Sequence, residues 1–201
     1  MLRKHDTAVL VSPIATWLPN LQEADWIGVD AGFQHILDAG HLCLFAIGDF
    51  DSGSLPVSPS FPATVLPVAK DETDSEMAMK TAVEMGYKTI YFVGAFGKRL
   101  DHTLANIRCI VWKYPQVICL EEHQRLFTLL PGQHCLSADY VHVSFFAYEP
   151  SVISLEGFLY PLHHQLIDQK DVYTCSNSFQ AKQGIVTLES GRVLCVESNY
   201  R

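Results

Sequence analysis

The sequence predicts an α/β N-terminal domain with a mostly parallel, doubly wound sheet, followed by a small antiparallel β-sandwich domain. Three observations carry this expectation. Up to about residue 121, continuous apolar runs alternate with amphipathic segments, as strands covered on both faces and joined by helices do. After Glu122 the helical period disappears, and short β-rich runs are separated by Gly, Pro, Asn or Ser. A chain of 201 residues, 48% hydrophobic and 18% charged, is also long and apolar enough to bury a substantial core. The change of period sets the expected domains at 1–122 and 123–201.

TAVLVSP and WIGVD read as the first two strands, and FQHILDAG as the short helix after them. LCLFAIGD and TVLPVAKD follow as strands. DSEMAMKTAVEMG then has helical spacing; Thr73-Asp74-Ser75-Glu76 fits a capping box at its start, and Gly86 suits its C-terminus. TIYFVG, a helix over DHTLANIRCIVWKY, and VICLEE complete the α/β part. The second part reads RLFTLL, YVHVSFFAY, VISLEGFLYPL, VYTCSNSF, GIVTLES and RVLCVES. Partial alternation in YVHVSFFAY leaves one of its faces to solvent, and the series suits a small antiparallel sandwich.

Charge and composition exclude several functions. The formal net charge is -8, with no dense Lys/Arg block, so nucleic acid and anionic membranes are poor partners. No apolar stretch approaches the length of a membrane span. TAVLVSP is too short, and lacks the cleavage pattern, for a signal peptide. A reducing cytoplasmic setting is the expectation. The six cysteines (Cys43, Cys109, Cys119, Cys135, Cys175, Cys195) form no C-x-x-C pair, which argues against zinc and redox sites. Most lie in apolar runs, where a thiol packs as a small hydrophobe.

In open α/β sheets, ligands bind beyond the carboxyl ends of the strands. WIGVD ends on Asp30. LCLFAIGD ends on Gly48-Asp49-Phe50-Asp51. TVLPVAKD ends on Lys70-Asp71, with Asp74 close behind. TIYFVG runs into Gly94-Ala95-Phe96-Gly97-Lys98-Arg99-Leu100-Asp101-His102. Hard carboxylate oxygens grouped in this way suit Mg²⁺ shared with substrate phosphates. Gly48 allows close backbone approach to a polyphosphate, and the glycine-rich loop leads into a helix N-terminus that favours an anion. Arg99 suits a phosphate oxygen or a base. Taken singly, each has a plainer reading: a D-x-D turn, Asp caps at 30, 74 and 101, a first-turn His102, a solvated Lys70. The strand followed by D-F-D-S also resembles the nucleophile motif of haloacid-dehalogenase-type phosphatases. That motif opens its domain and is joined by a later acidic pair, whereas here it lies on the third apolar run and the chain has no Asp-Asp dipeptide.

Together these motifs resemble the thiamine pyrophosphokinase family, whose pattern runs D-x-G, G-D-x-D-S, K-D-x-T-D and G-x-x-G-G-R-x-D-H, with a Ser-Asn motif in a C-terminal β domain. This chain has Asp30-Ala31-Gly32, Gly48-Asp49-Phe50-Asp51-Ser52, Lys70-Asp71-Glu72-Thr73-Asp74, the loop Gly94 to His102, Gly157-Phe158-Leu159-Tyr160-Pro161-Leu162 and Ser176-Asn177-Ser178. Lys98 stands where the family usually has a second glycine. The resemblance implies transfer of diphosphate from ATP to the hydroxyl of thiamine, dependence on Mg²⁺ (or Mn²⁺), and a homodimer with active sites at the subunit interface. By residue match, Asp49, Asp51 and Asp74 would hold the metal, with Asp30 and Asp71 nearby. Arg99, Asp101 and His102 would serve ATP, and Ser176 and Asn177, whose plainer reading is a β-turn, the thiamine pocket. A binding module that keeps the fold without the chemistry is the alternative of another class; no carboxylate of the matched motifs is missing.

Overall fold

The computed structural model describes residues 3–50, 60–67 and 71–200. The chain forms two compact units, Met1–Ile110 with Gln116–Glu122, and Val111–Pro115 with His123–Arg201. As the sequence predicts, the first carries a parallel sheet with helices. Its strands β1 (Thr7–Val11), β2 (Asp25–Val29), β3 (Cys43–Gly48), β4 (Ala63–Val65), β5 (Thr89–Val93) and β6 (Val117–Glu121) lie in the order β4-β3-β2-β1-β5-β6. Every neighbouring pair is parallel. The chain winds outward from β1 through β4, then returns to β5 on the other side. The carboxyl ends of β1 and β5 therefore form the switch point where such sheets bind ligands.

All five residues of β2 and four of the five in β1 are buried, which explains their unbroken apolar runs. Packed on them, α1 (Phe33–Asp38) buries Phe33 and Ile36 with Trp26, Ala46 and Phe61. α2 (Asp74–Glu84) starts at Thr73, whose hydroxyl accepts the Glu76 N–H at 3.1 Å, and buries Ala78, Met79 and Ala82. It ends with the Gly86 N–H on the Val83 carbonyl, as the capping pattern predicts. Buried Asp25, at the start of β2, accepts bonds from the Lys4 N–H and the Tyr87 hydroxyl, both at 2.8 Å. That carboxylate pins the entering chain to the segment before β5. One helix is shorter than expected: α3 (Leu100–Arg108) passes into a π-helical turn, Cys109–Lys113, where Ile110 and Val111 are both fully buried.

In the second unit the described strands are β7 (Gln124–Leu129), β8 (Gly132–Ser137), β9 (His142–Ala147), β10 (Ser151–Glu156), β11 (Leu162–Ile167), β12 (Gln183–Ser190) and β13 (Val193–Ser198). β13 pairs antiparallel with both β7 and β9. A second antiparallel sheet runs β11-β10-β12-β8. Their inner faces share one core that includes Val143, Phe145, Ile153, Leu155, Phe158, Val186 and Leu188. Two local expectations differ. VYTCSNSF is a turn rather than a strand: Ser176 has φ 59, and the segment bonds across β9 through Thr174 and Asn177. Conversely, LHHQLI is strand β11, at the edge of its sheet and with four consecutive exposed residues, so it carries little apolar signal.

All six cysteines are free thiols; Cys43, Cys109, Cys119 and Cys195 are buried, while Cys135 and Cys175 are exposed. Burial pushes Cys43 up to about 11 and raises Cys119 and Cys195 as well.

Glu197, fully buried on β13, pairs with Arg125 of β7, whose guanidinium also lies over the rings of Phe127 and Tyr140. Burial raises the pKa of Glu197, opposed by Arg125. Arg125→Met leaves a carboxylate in the core without its cation and should cost about 3 kcal/mol in urea unfolding. The double variant Arg125→Met/Glu197→Leu should cost less; an equal or larger loss would show that the pair itself is not what matters.

Candidate active site

The strand ends of the first unit enclose a cavity of about 410 Å³. Asp30, Asp49 and Asp74 line it from the ends of β2 and β3 and from the start of α2. Lys98, Arg99 and His102 line it from the loop after β5 and the first turn of α3. Four sequence motifs separated by up to 72 positions thus contribute to one pocket. Asp30 is 6% exposed and sits at φ 49, in a tight turn spanning Asp30–Gly32. That turn needs glycine on two sides. A methyl group on Gly32 would lie 1.9 Å from the Val11 carbonyl, and one on Gly48 would lie 2.7 Å from Asp30 Cα. Gly48 thus lets β3 pack against the Asp30 turn.

Other expected residues lie elsewhere. Asp51 and Lys70 fall outside the described residues. Asp71 is exposed and does not line the cavity. Asp101 faces Arg99, accepting from its Nη2 at 2.6 Å and its Nε at 3.2 Å, and takes the His102 N–H at 3.0 Å. Arg99 is the N-cap residue of α3 and makes no side-chain capping bond.

The glycine-rich loop is held by its neighbours. Gly94, at φ 74, gives its carbonyl to the Ser12 hydroxyl at 2.7 Å, and a methyl group there would lie 2.3 Å from that hydroxyl. The Gly94 N–H donates to Glu121 Oε1 at 2.9 Å. Asn106 donates to the Ala95 carbonyl at 2.6 Å, and the Gly97 N–H reaches the Thr103 hydroxyl at 3.3 Å. Burial raises the pKa of Glu121, opposed by bonds from the Gly94 and Ala95 amides. Ser12, Asn106, Thr103 and Glu121 were not singled out from the sequence. The strand-end rule, extended to TAVLVSP and VICLEE, reaches Ser12 and Glu121; Asn106 carries no local signal.

In the second unit, Asn177 is 4% exposed and its side chain is committed. Oδ1 accepts the N–H groups of Tyr160 and Ser178, at 3.0 and 2.9 Å, while Nδ2 donates to the Tyr160 carbonyl at 2.8 Å. Its backbone also bonds twice to Val143. Asn177 therefore fixes the Gly157–Leu162 motif, leaving Tyr160 and Leu159 exposed. Ser176 donates its N–H to the Ser144 hydroxyl at 2.9 Å.

Among the described residues, no three His, Cys, Asp or Glu side chains are grouped closely enough to hold a metal ion unaided. The cavity's described carboxylates are all hard oxygen donors, which suits an ion completed by waters and phosphates.

Residues 20–120 match the family pattern described as "Thiamin pyrophosphokinase, catalytic domain", and residues 133–193 match "Thiamin pyrophosphokinase, vitamin B1 binding domain". The chain belongs to the thiamin pyrophosphokinase family. A thiamine pyrophosphokinase of Bacillus subtilis (strain 168) is 29% identical over 185 residues, 86% of each chain. The crystal structure of a Bacillus subtilis thiamine pyrophosphokinase superposes with a TM-score of 0.87 at 25% identity, covering 97% of this chain and 100% of that one. A thiamin pyrophosphokinase from Geobacillus thermodenitrificans gives 0.84 at 29% identity, covering 96% and 97%. The catalytic-domain match of the pyrophosphokinase family spans every described cavity residue named above except Ser12.

The Arg99 bonds hold the Asp101 carboxyl well below its usual range, at about 2. Because the folded pKa is depressed, the pairing is complete above the ordinary 3.8 and is lost only as pH falls through about 2. A carboxyl ¹³C titration should place the Asp101 midpoint there, and Arg99→Met should return it toward 3.8; a wild-type midpoint near 3.8 would mean the pair does not form in solution.

Proposed function

We propose that this chain transfers the diphosphate group of ATP to the hydroxyl of thiamine, giving thiamine diphosphate and AMP. The observation that carries the reading is the single cavity that gathers Asp30, Asp49 and Asp74 with Lys98, Arg99 and His102, in a chain of this family. The thiamine oxygen forms a bond to the β-phosphorus as the bond from that phosphorus to the AMP oxygen breaks. One of the cavity carboxylates takes the hydroxyl proton. No covalent nucleophile is needed, because phosphoryl-type transfer rests on positioning and charge stabilisation.

Asp49, Asp51 and Asp74 would hold Mg²⁺, with Asp30 beside them. When bound, the ion supplies neutralisation of triphosphate charge. Arg99 orients ATP, with Asp101 holding its guanidinium in place, and His102 lines the same wall. In this reading residues 1–122 bind ATP and metal. Residues 123–201 carry the thiamine pocket and the dimer contacts; there Ser176 shapes the pocket, and Asn177 acts by holding the Tyr160 segment. A cytoplasmic homodimer with active sites at the subunit interface completes it, in line with the family resemblance.

AMP release from ATP should require both thiamine and Mg²⁺, and should stop when EDTA removes the metal. A thiamine-independent rate would sink the proposal. Asp49→Ala and Asp74→Ala should each lower kcat by about 100-fold or more, about 3 kcal/mol of transition-state stabilisation. Near-normal turnover of both at saturating Mg²⁺ would remove them from the metal role.

A further inference from the structure

We propose that in this chain Lys98 makes the triphosphate contact at the glycine-rich loop, because Glu121 already occupies the loop's leading amide, that of Gly94. The inference rests on the reading of the cavity as an ATP site.

A glycine-rich loop ahead of a helix commonly offers its backbone N–H groups to phosphate. Here the Gly94 and Gly97 amides are engaged. Gly94 donates to Glu121 Oε1 at 2.9 Å. Gly97 donates to Thr103. The carbonyls of Gly94 and Ala95 are likewise held, by Ser12 and Asn106. An anion entering the loop would have to displace a carboxylate that lies at the end of β6, and it would meet that carboxylate's charge. These two amides are thus fixed as structure, and Glu121 is a positioning residue that sets the loop's shape.

Positive charge at the loop comes from its side chains. Arg99, steadied by Asp101 at 2.6 Å, is the residue assigned to orienting ATP. Lys98 lines the cavity, is exposed, and makes no ion pair among the described residues. Its ammonium is a mobile point charge on a long stem, able to follow a triphosphate without the planar fit that a guanidinium requires. It stands at the position where the family pattern has its second glycine. In this chain that position carries an exposed, cavity-lining cation instead.

ATP binding, measured by titration calorimetry without thiamine, tests this independently of turnover. Lys98→Met should weaken ATP binding about tenfold, the scale of one charge-assisted contact. Lys98→Arg should stay within about twofold of wild type, and the KM for thiamine should be unchanged in both. Amide hydrogen exchange at Gly94 should be slow with and without ATP. Equal ATP affinity for wild type, Lys98→Met and Lys98→Gly would overturn the inference, as would new protection of the Gly94 amide when ATP is added. Failure of the wild-type protein to bind ATP would instead overturn the reading of the site itself.

Discussion

The hydrogen bond from the Ser12 hydroxyl to the Gly94 carbonyl joins the carboxyl ends of β1 and β5, the two strands from which the chain winds in opposite directions. A parallel sheet must open a crevice at that point. Whether the crevice becomes a defined site depends on how the loops leaving it are held. Here Ser12 fixes one side of the loop after β5 and Glu121 fixes the other, so three neighbouring strands set the position of one short backbone segment. Gly94 is required because any side chain would collide with Ser12 and with the Ala15 backbone. The remainder of the cavity wall, from Lys98 to Asn106, follows from where this segment points.

Much of this was legible in the sequence. The parallel sheet showed itself because β1, β2 and β3 are buried on both faces and so consist of unbroken apolar runs. Asp30, Asp49 and Asp74 stood out as a group because unrelated caps and turns need not all lie at one edge of a sheet, and all three line the cavity. What escaped was long-range: Asn106 bonds to a carbonyl 11 residues away, Glu121 to an amide 27 away and Ser12 to a carbonyl 82 away. Such partners have no periodicity to betray them. β11 escaped for the opposite reason, since an exposed edge strand has no apolar face to read. VYTCSNSF looked strand-like from its composition, but Ser176 at positive φ and the Asn177 bonds turn it.

Asn177 shows how a motif residue acts at one remove. Its amide is spent on both backbone groups of Tyr160, and satisfying three polar groups in a buried place makes it costly to replace. A residue of this kind shapes a surface without forming part of it. The Asp30 turn is similar in the first unit, where Gly32 and Gly48 exist to let a strained carboxylate stand at the end of β2.

The distribution of thiols has a practical consequence. The four buried cysteines lie where the thiolate is suppressed or shielded, whereas Cys135 and Cys175 both belong to the second unit. Thiolate is the reactive species in alkylation. A maleimide dye or spin label applied to the folded, unmodified protein would therefore decorate the β unit alone, one position of it adjacent to Ser176. The chain carries its own pair of attachment points for spectroscopy, and the α/β unit would stay chemically untouched.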